Sequence, residues 1–119
     1  MILNFKINHQ ILIGLLLIFC LTIMLFPSVA FAGDINSGAK IFEINCAGCH
    51  ANGGNIVRRG KTLKKRALKR NGFDSITAID QIVTQGKGNM SAYGDRLTTE
   101  EIKAVSNYVW QQAEKGWKK

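Results

Sequence analysis

Cys46-Ala47-Gly48-Cys49-His50 is the stretch of this chain whose residue types and spacing could do chemistry. Two thiols separated by two residues lie on one short turn and can both add to the vinyl groups along one edge of a porphyrin. A histidine directly after them brings an imidazole to the iron from beneath. This is the pattern of covalent c-type haem attachment. A thioredoxin-like dithiol uses the same thiol spacing but belongs beside alternating strands and helices, and no such pattern occurs here. A structural zinc site needs four ligands, whereas the chain beyond its amino-terminal apolar run offers only Cys46, Cys49 and His50 as soft or borderline donors. A plain disulfide would leave His50 without a role and close too small a loop to stabilise much.

The amino terminus carries a different message. Lys6 precedes the uncharged run from Ile11 to Phe26, 16 residues long, which is followed by Pro27, Ser28 and Ala30-Phe31-Ala32. A positive head, an apolar middle and a small-x-small end describe an export signal cleaved between Ala32 and Gly33, and the run is short for a membrane anchor. The expected organisation is therefore a cleavable signal over 1–32 and one monohaem domain over 33–119. Export suits haem attachment of this type, which takes place outside the cytoplasm, and Cys20 leaves with the signal.

Removing the signal also leaves Met90 as the sole methionine and His50 as the sole histidine of the domain. A second histidine ligand is thus excluded, and Met90 becomes the candidate for the sixth position on the iron, opposite His50. With both axial positions taken there is no open site for a substrate, and one-electron transfer is the chemistry that remains. A haem sensor or small peroxidase-like enzyme would require Met90 to leave the iron readily, and nothing in the sequence marks a distal base or substrate pocket.

Helices must position these groups. Asp34 is placed to cap a first helix running through Ile35, Gly38, Ile41, Phe42 and Asn45 to the haem motif, with Gly38 kept small by a crossing helix. Asn52-Gly53-Gly54-Asn55 reads as a loop. Leu63, Ala67 and Leu68 suggest a short helix inside a basic stretch that holds Arg58, Arg59, Lys61, Lys64, Lys65, Arg66, Lys69 and Arg70. Lys61, Lys65 and Lys69 would repel one another at i, i+4 spacing. The stretch is either a solvated face or a docking patch for an acidic partner or anionic membrane surface. Asp74 is expected to cap a helix carrying Ile76, Ile79, Ile82 and Val83, which Gly86 stops. Thr98 and Glu101 form a capping box for the last helix, with Leu97 and Ile102 as its hydrophobic staple and Ile102, Val105, Tyr108 and Val109 on its buried face. Trp110 and Trp117 read as packing residues.

The 87 residues beyond the signal make one small domain that needs the haem to complete its core, so the haem-free chain should melt without cooperativity. The domain holds 15 Lys and Arg against 8 acidic residues, a formal +7, lowered to about +5 by two ionised propionates. Such a basic exported protein suits an acidic partner and not nucleic acid.

From Gly33 almost to the carboxyl terminus the chain resembles the cytochrome c6 family, the soluble class I cytochromes of cyanobacterial and algal photosynthesis. The likeness rests on Gly38-Ala39-Lys40-Ile41-Phe42, the haem motif, Asn52-Gly53-Gly54-Asn55, Lys61-Thr62-Leu63, Gly86-Lys87-Gly88-Asn89-Met90 and Asp95-Arg96-Leu97. The resemblance implies an all-α class I cytochrome c fold of about four or five helices around one haem c, in which the first and last helices cross. It also implies a monomeric carrier shuttling electrons from the cytochrome b6f complex to photosystem I in the thylakoid lumen, or working in a periplasm. Two positions depart from the family pattern. Ser91 stands where proline usually follows the methionine, which alters loop stiffness. Ile82 stands where a glutamine usually lies near the haem, so a shifted, lower potential and other partners are expected.

Overall fold

The structure, a computed structural model, describes residues 8–25 and 32–118. The chain forms two units, Met1–Ala30 and Phe31–Lys119. In the first, α1 spans His9–Leu25, and its apolar side chains from Ile11 to Ile23 are exposed. Its 17 residues extend about 25 Å at 1.5 Å per residue, less than a hydrocarbon core of about 30 Å. Among the described residues no helix is long and apolar enough to cross a membrane. Lys6, Pro27, Ser28, Ala30 and Phe31 of the expected signal lie outside the described residues.

The second unit is helical: α2 (Ala32–Asn45), the single turn α3 (Ala47–His50) with a 3-10 turn at Ala51–Gly53, α4 (Lys65–Arg70), α5 (Ile76–Gln85) and α6 (Thr99–Lys115). Among the described residues there is no strand beyond an isolated bridge between Lys87 and Met90. The expected all-α class I fold is what the chain adopts.

The two long helices cross at Gly38, as its small size suggested. A Cβ there would lie 2.9 Å from the Tyr108 Cβ and would collide with the Ala104 carbonyl oxygen, so only glycine permits this approach. One turn on, Phe42 packs at 5.4 Å from the Tyr108 ring and 5.2 Å from Trp117, an aromatic cluster that pins α2 to the end of α6. Trp117 is therefore a packing residue, and its Nε1 also donates to Leu63 O at 3.0 Å. Ile41, Leu68, Ile79, Val83, Ile102, Val105 and Val109 complete the core, so each of α2, α4, α5 and α6 buries one stripe.

Three local expectations need correction. α2 starts at Ala32, so Asp34 lies inside it and is not its cap. The cap of α5 is Ser75, whose Oγ accepts from Ala78 N at 3.1 Å. α5 begins at Ile76, and only the residue directly before the first turn can reach the free N–H groups, which excludes Asp74. The basic stretch is not one helical stripe either, because α4 begins at Lys65 and leaves Lys61 in the preceding loop, where its Nζ donates to Asn71 Oδ1 at 2.7 Å. Lys65 Nζ pairs with Glu114 Oε2 at 2.6 Å across 49 residues, which relieves part of the repulsion. The capping box of α6 forms as expected: Glu101 N donates to Thr98 Oγ1 at 3.2 Å, and Thr98 N to Glu101 Oε2 at 2.8 Å.

Candidate functional site

The haem motif sits on one turn of helix directly after α2. Cys46 N donates to Phe42 O at 2.8 Å, continuing the α2 pattern, and His50 N donates to Cys46 O at 2.9 Å. Cys46 and Cys49 are both free thiols, the first partly buried and the second exposed. Burial, with a further contribution from Cys49, pushes the Cys46 thiol from 9.0 up to about 11. A redox-active dithiol needs the opposite shift, toward thiolate at neutral pH, so this environment argues against thioredoxin-like chemistry.

The loop after the motif has a definite task. Asn52, at φ 52, and Gly53, at φ 71, turn the chain back so that Gly54 O meets His50 Nδ1 at 2.9 Å. Gly53 lies flat against the Trp117 ring, which a Cβ would approach to 2.5 Å. A carbonyl only accepts, so Nδ1 donates in this contact, and in the neutral ring that leaves the lone pair on Nε2, the form in which imidazole binds a metal. Asn55 holds the next turn, its Oδ1 accepting from Val57 N at 2.9 Å and Arg58 N at 2.7 Å while its Nδ2 donates to Lys61 O at 3.0 Å. Nothing in the sequence singled out the Gly54 carbonyl, because a backbone acceptor has no residue-type signature.

Met90 comes from the segment between α5 and α6. Lys87 N donates to Met90 O at 3.0 Å and Met90 N to Lys87 O at 3.1 Å, a tight turn made possible by Gly88 at φ 58. The turn folds back on Gly86, at φ 69, so closely that a Cβ there would stand 2.6 Å from Met90 O and 2.7 Å from Ala92 N.

Cys46, Cys49, His50 and Met90, the four residues expected at the site, line one cavity of about 560 Å³. Its walls are apolar: Leu63 and Leu68 before and on α4, Ile79, Ile82 and Val83 on α5, Val105 and Val109 on α6, and the ring of Tyr93. Arg58, Lys61 and Lys87 stand at the lining as cations, and Asn45, Asn55 and Asn71 add polar groups to it. The volume lies within the range of small-molecule and cofactor pockets, about 300–1,000 Å³. Two thiols on one wall, an imidazole with a free Nε2, a thioether and apolar surroundings fit a haem and match no other cofactor as well. Ile82, one of the two departures from the family pattern, is thus part of the wall. Tyr93 was not foreseen as a lining residue, since an aromatic in a glycine-punctuated loop has no periodicity to place it.

Comparison with known proteins agrees with this geometry. The family model described as cytochrome c oxidase, cbb3-type, subunit III matches residues 33–109. A cytochrome c6-like protein of Nostoc sp. (strain PCC 7120) is 57% identical over 89 residues, 75% of this chain and 80% of the relative. Among solved structures, cytochrome c6C from Synechococcus sp. PCC 7002 superposes with a TM-score of 0.65 at 68% identity, covering 66% of this chain and 96% of that one. Cytochrome c6 from the diatom Phaeodactylum tricornutum superposes with a TM-score of 0.69 at 45% identity, covering 71% and 99%. The chain accordingly belongs to the c-type cytochrome domains that this family model covers and, among them, to the cytochrome c6 family, non-enzymatic electron carriers that hold one covalently bound haem c.

Proposed function

We propose that the mature protein is an exported carrier of single electrons between membrane redox complexes, in which Cys46 and Cys49 would attach haem c and His50 and Met90 would ligate its iron. The observation that carries this reading is that all four side chains line one cavity while Gly54 O accepts from His50 Nδ1. Haem c, when bound, supplies a one-electron iron couple. The chain's own residues do the rest: the apolar wall excludes water, Gly54 orients the imidazole, and the Lys87–Met90 turn presents the thioether. Burial and a thioether partner both favour the reduced state and raise the potential relative to a second histidine. The amino-terminal 1–32 acts as the cleaved export signal, and residues 33–119 form the working domain.

Within this reading the partners are the cytochrome b6f complex and photosystem I, in a thylakoid lumen or periplasm. A docking role for the basic stretch is supported by its composition, eight cations and no acid between Arg58 and Arg70, against seven acidic residues spread over the rest of 36–118 with Lys40, Lys87, Arg96, Lys103, Lys115 and Lys118. A field of that asymmetry orients and accelerates encounter with an acidic surface.

Ile82 favours a second reading, a variant carrier of lower potential with other partners. It lines the cavity, where an apolar side chain offers no dipole to the haem. The 68% identity to cytochrome c6C, against 45% to the diatom cytochrome c6, supports kinship with a variant member of the family. Redox titration separates the readings, since a midpoint far below that of a photosystem I donor excludes the first. Ile82→Gln introduces amide N–H donors whose positive end favours the reduced state. A contact of about 1–2 kcal/mol corresponds to a rise of about 40–90 mV for a one-electron couple. An unchanged or lower midpoint in that variant removes Ile82 as the cause.

A further inference from the structure

The segment between α5 and α6 that carries Met90 contains no helix, and its hydrogen bonds explain how it is held. Within the turn, the backbone N–H and C=O of Met90 are both taken by Lys87, so Lys87–Met90 moves as one piece. Behind the turn, Tyr93 N donates to Val83 O at 2.9 Å and Gly94 N to Thr84 O at 3.1 Å, which ties the segment to the end of α5. These bonds act as a hinge, because all of them join the segment to its own chain neighbour. None fixes its distance from the end of α2, which leads into the haem motif.

One bond does. Tyr93 Oη donates to Asn45 O at 2.9 Å, across 48 residues of sequence, in a partly buried setting. Among the described residues it is the single hydrogen bond between the Met90 segment and the helix that leads into the haem motif. Asn45 is the last residue of α2, and its carbonyl is one of the helix-terminal acceptors that need a partner from outside the helix. The Tyr93 ring also lines the cavity, so the hydroxyl reaches Asn45 from the same side chain that walls the site.

We propose that Tyr93 is a positioning residue for Met90: its hydroxyl clamps the methionine segment to the α2 end beside Cys46 and sets how readily another ligand displaces the thioether. The inference rests on the assignment of Met90 as an axial ligand. Tyr93→Phe keeps the ring and its packing and removes only the donor, so the turn can swing on its α5 hinge without breaking any other hydrogen bond.

The test is an imidazole titration of the oxidised holoprotein, followed through the weak near-infrared band that methionine ligation leaves. One hydrogen bond of ordinary net strength shifts such an equilibrium about threefold to tenfold. Tyr93→Phe should therefore bind imidazole tighter than the parent by that factor. Ser75→Ala, which loses a hydrogen bond at the far end of α5, should lower thermal stability and leave imidazole affinity at the parent value. Equal affinity in Tyr93→Phe and parent overturns the proposal, as does an equal shift in Ser75→Ala, which would make the effect one of general stability. Met90→Ala separates this failure from that of the ligand assignment. If the band survives in Met90→Ala, the assignment is wrong; if it vanishes there while Tyr93→Phe titrates like the parent, only the role of Tyr93 is lost.

Discussion

Replacing Gly38 by alanine sets two effects of opposite sign against each other, and the structure says which wins. In an unpacked helix the change stabilises by about 1 kcal/mol through helix propensity. Here the new Cβ would stand 2.9 Å from the Tyr108 Cβ and 2.9 Å from the Ala104 carbonyl carbon, where ordinary contact needs 3.4 Å or more. The obstacle is mostly backbone and cannot rotate away, so α2 and α6 must move apart by about 0.5–1 Å. A gap of that size forfeits about a quarter to a half of each dispersion contact along the seam, including those of Phe42 with Tyr108 and Trp117. Overpacking of this kind costs about 1–3 kcal/mol, and contact with backbone places Gly38 in the upper part of that range. The net expectation is a loss of about 1–2 kcal/mol, or a fall in melting temperature of about 5–15 °C for a domain of this size. Thermal melting of the holoprotein by circular dichroism measures it. Gly60→Ala is the control, since a Cβ there meets nothing within 4 Å and should change stability by less than about 0.5 kcal/mol. A Gly38→Ala protein that melts at or above the parent temperature would refute the close crossing of α2 and α6.

Gly86→Ala should release Met90, because the added Cβ meets Met90 O and Ala92 N at φ 69 and ψ 174, a conformation essentially confined to glycine and costly by about 1–3 kcal/mol; loss of the near-infrared band in the oxidised holoprotein is the expected result, and an intact band would show that the turn does not depend on this contact. Ser75→Ala should destabilise by about 1 kcal/mol in chemical denaturation while Asp74→Ala changes little, since Ser75 alone caps α5. Reversing the charges at Lys64 and Lys69, both exposed, should slow electron transfer to an acidic partner at low salt and have a much smaller effect at 0.5 M, where screening removes long-range steering; equal rates at low salt would make the stretch a solvated face. Breaking the Lys65–Glu114 pair should cost no more than about 1 kcal/mol in a double-mutant cycle, because the two side chains are 59% and 40% exposed.

Features written in neighbouring residues are legible in the sequence. The Cys46–His50 spacing implied haem, Thr98 and Glu101 marked the start of α6, and Gly38 inside an apolar helix implied a close crossing. Each depends on groups within a few positions of one another, where chain geometry is nearly determined by secondary structure. Asp74 and Ser75 are not distinguishable in the same way, because both types cap equally well and only the first residue of α5 decides between them. The Lys61–Lys69 stripe failed for a related reason: periodicity assumed a helix that begins four residues too late to include Lys61.

The contacts that finish the site are of another kind. His50 with Gly54 O, Tyr93 with Asn45 O, Trp117 with Leu63 O and Lys65 with Glu114 join a side chain to a backbone acceptor or to a residue about fifty positions away. The sequence by itself determined the chemistry, two thiols, one imidazole and one thioether in the helical domain that follows α1, because those are properties of residue types and local spacing. Only the tertiary structure decided that these groups share one cavity, which ring nitrogen of His50 is free and what holds the methionine segment in place. Such facts depend on where backbone atoms come to rest, near or far along the chain, and no pattern of side-chain types records that.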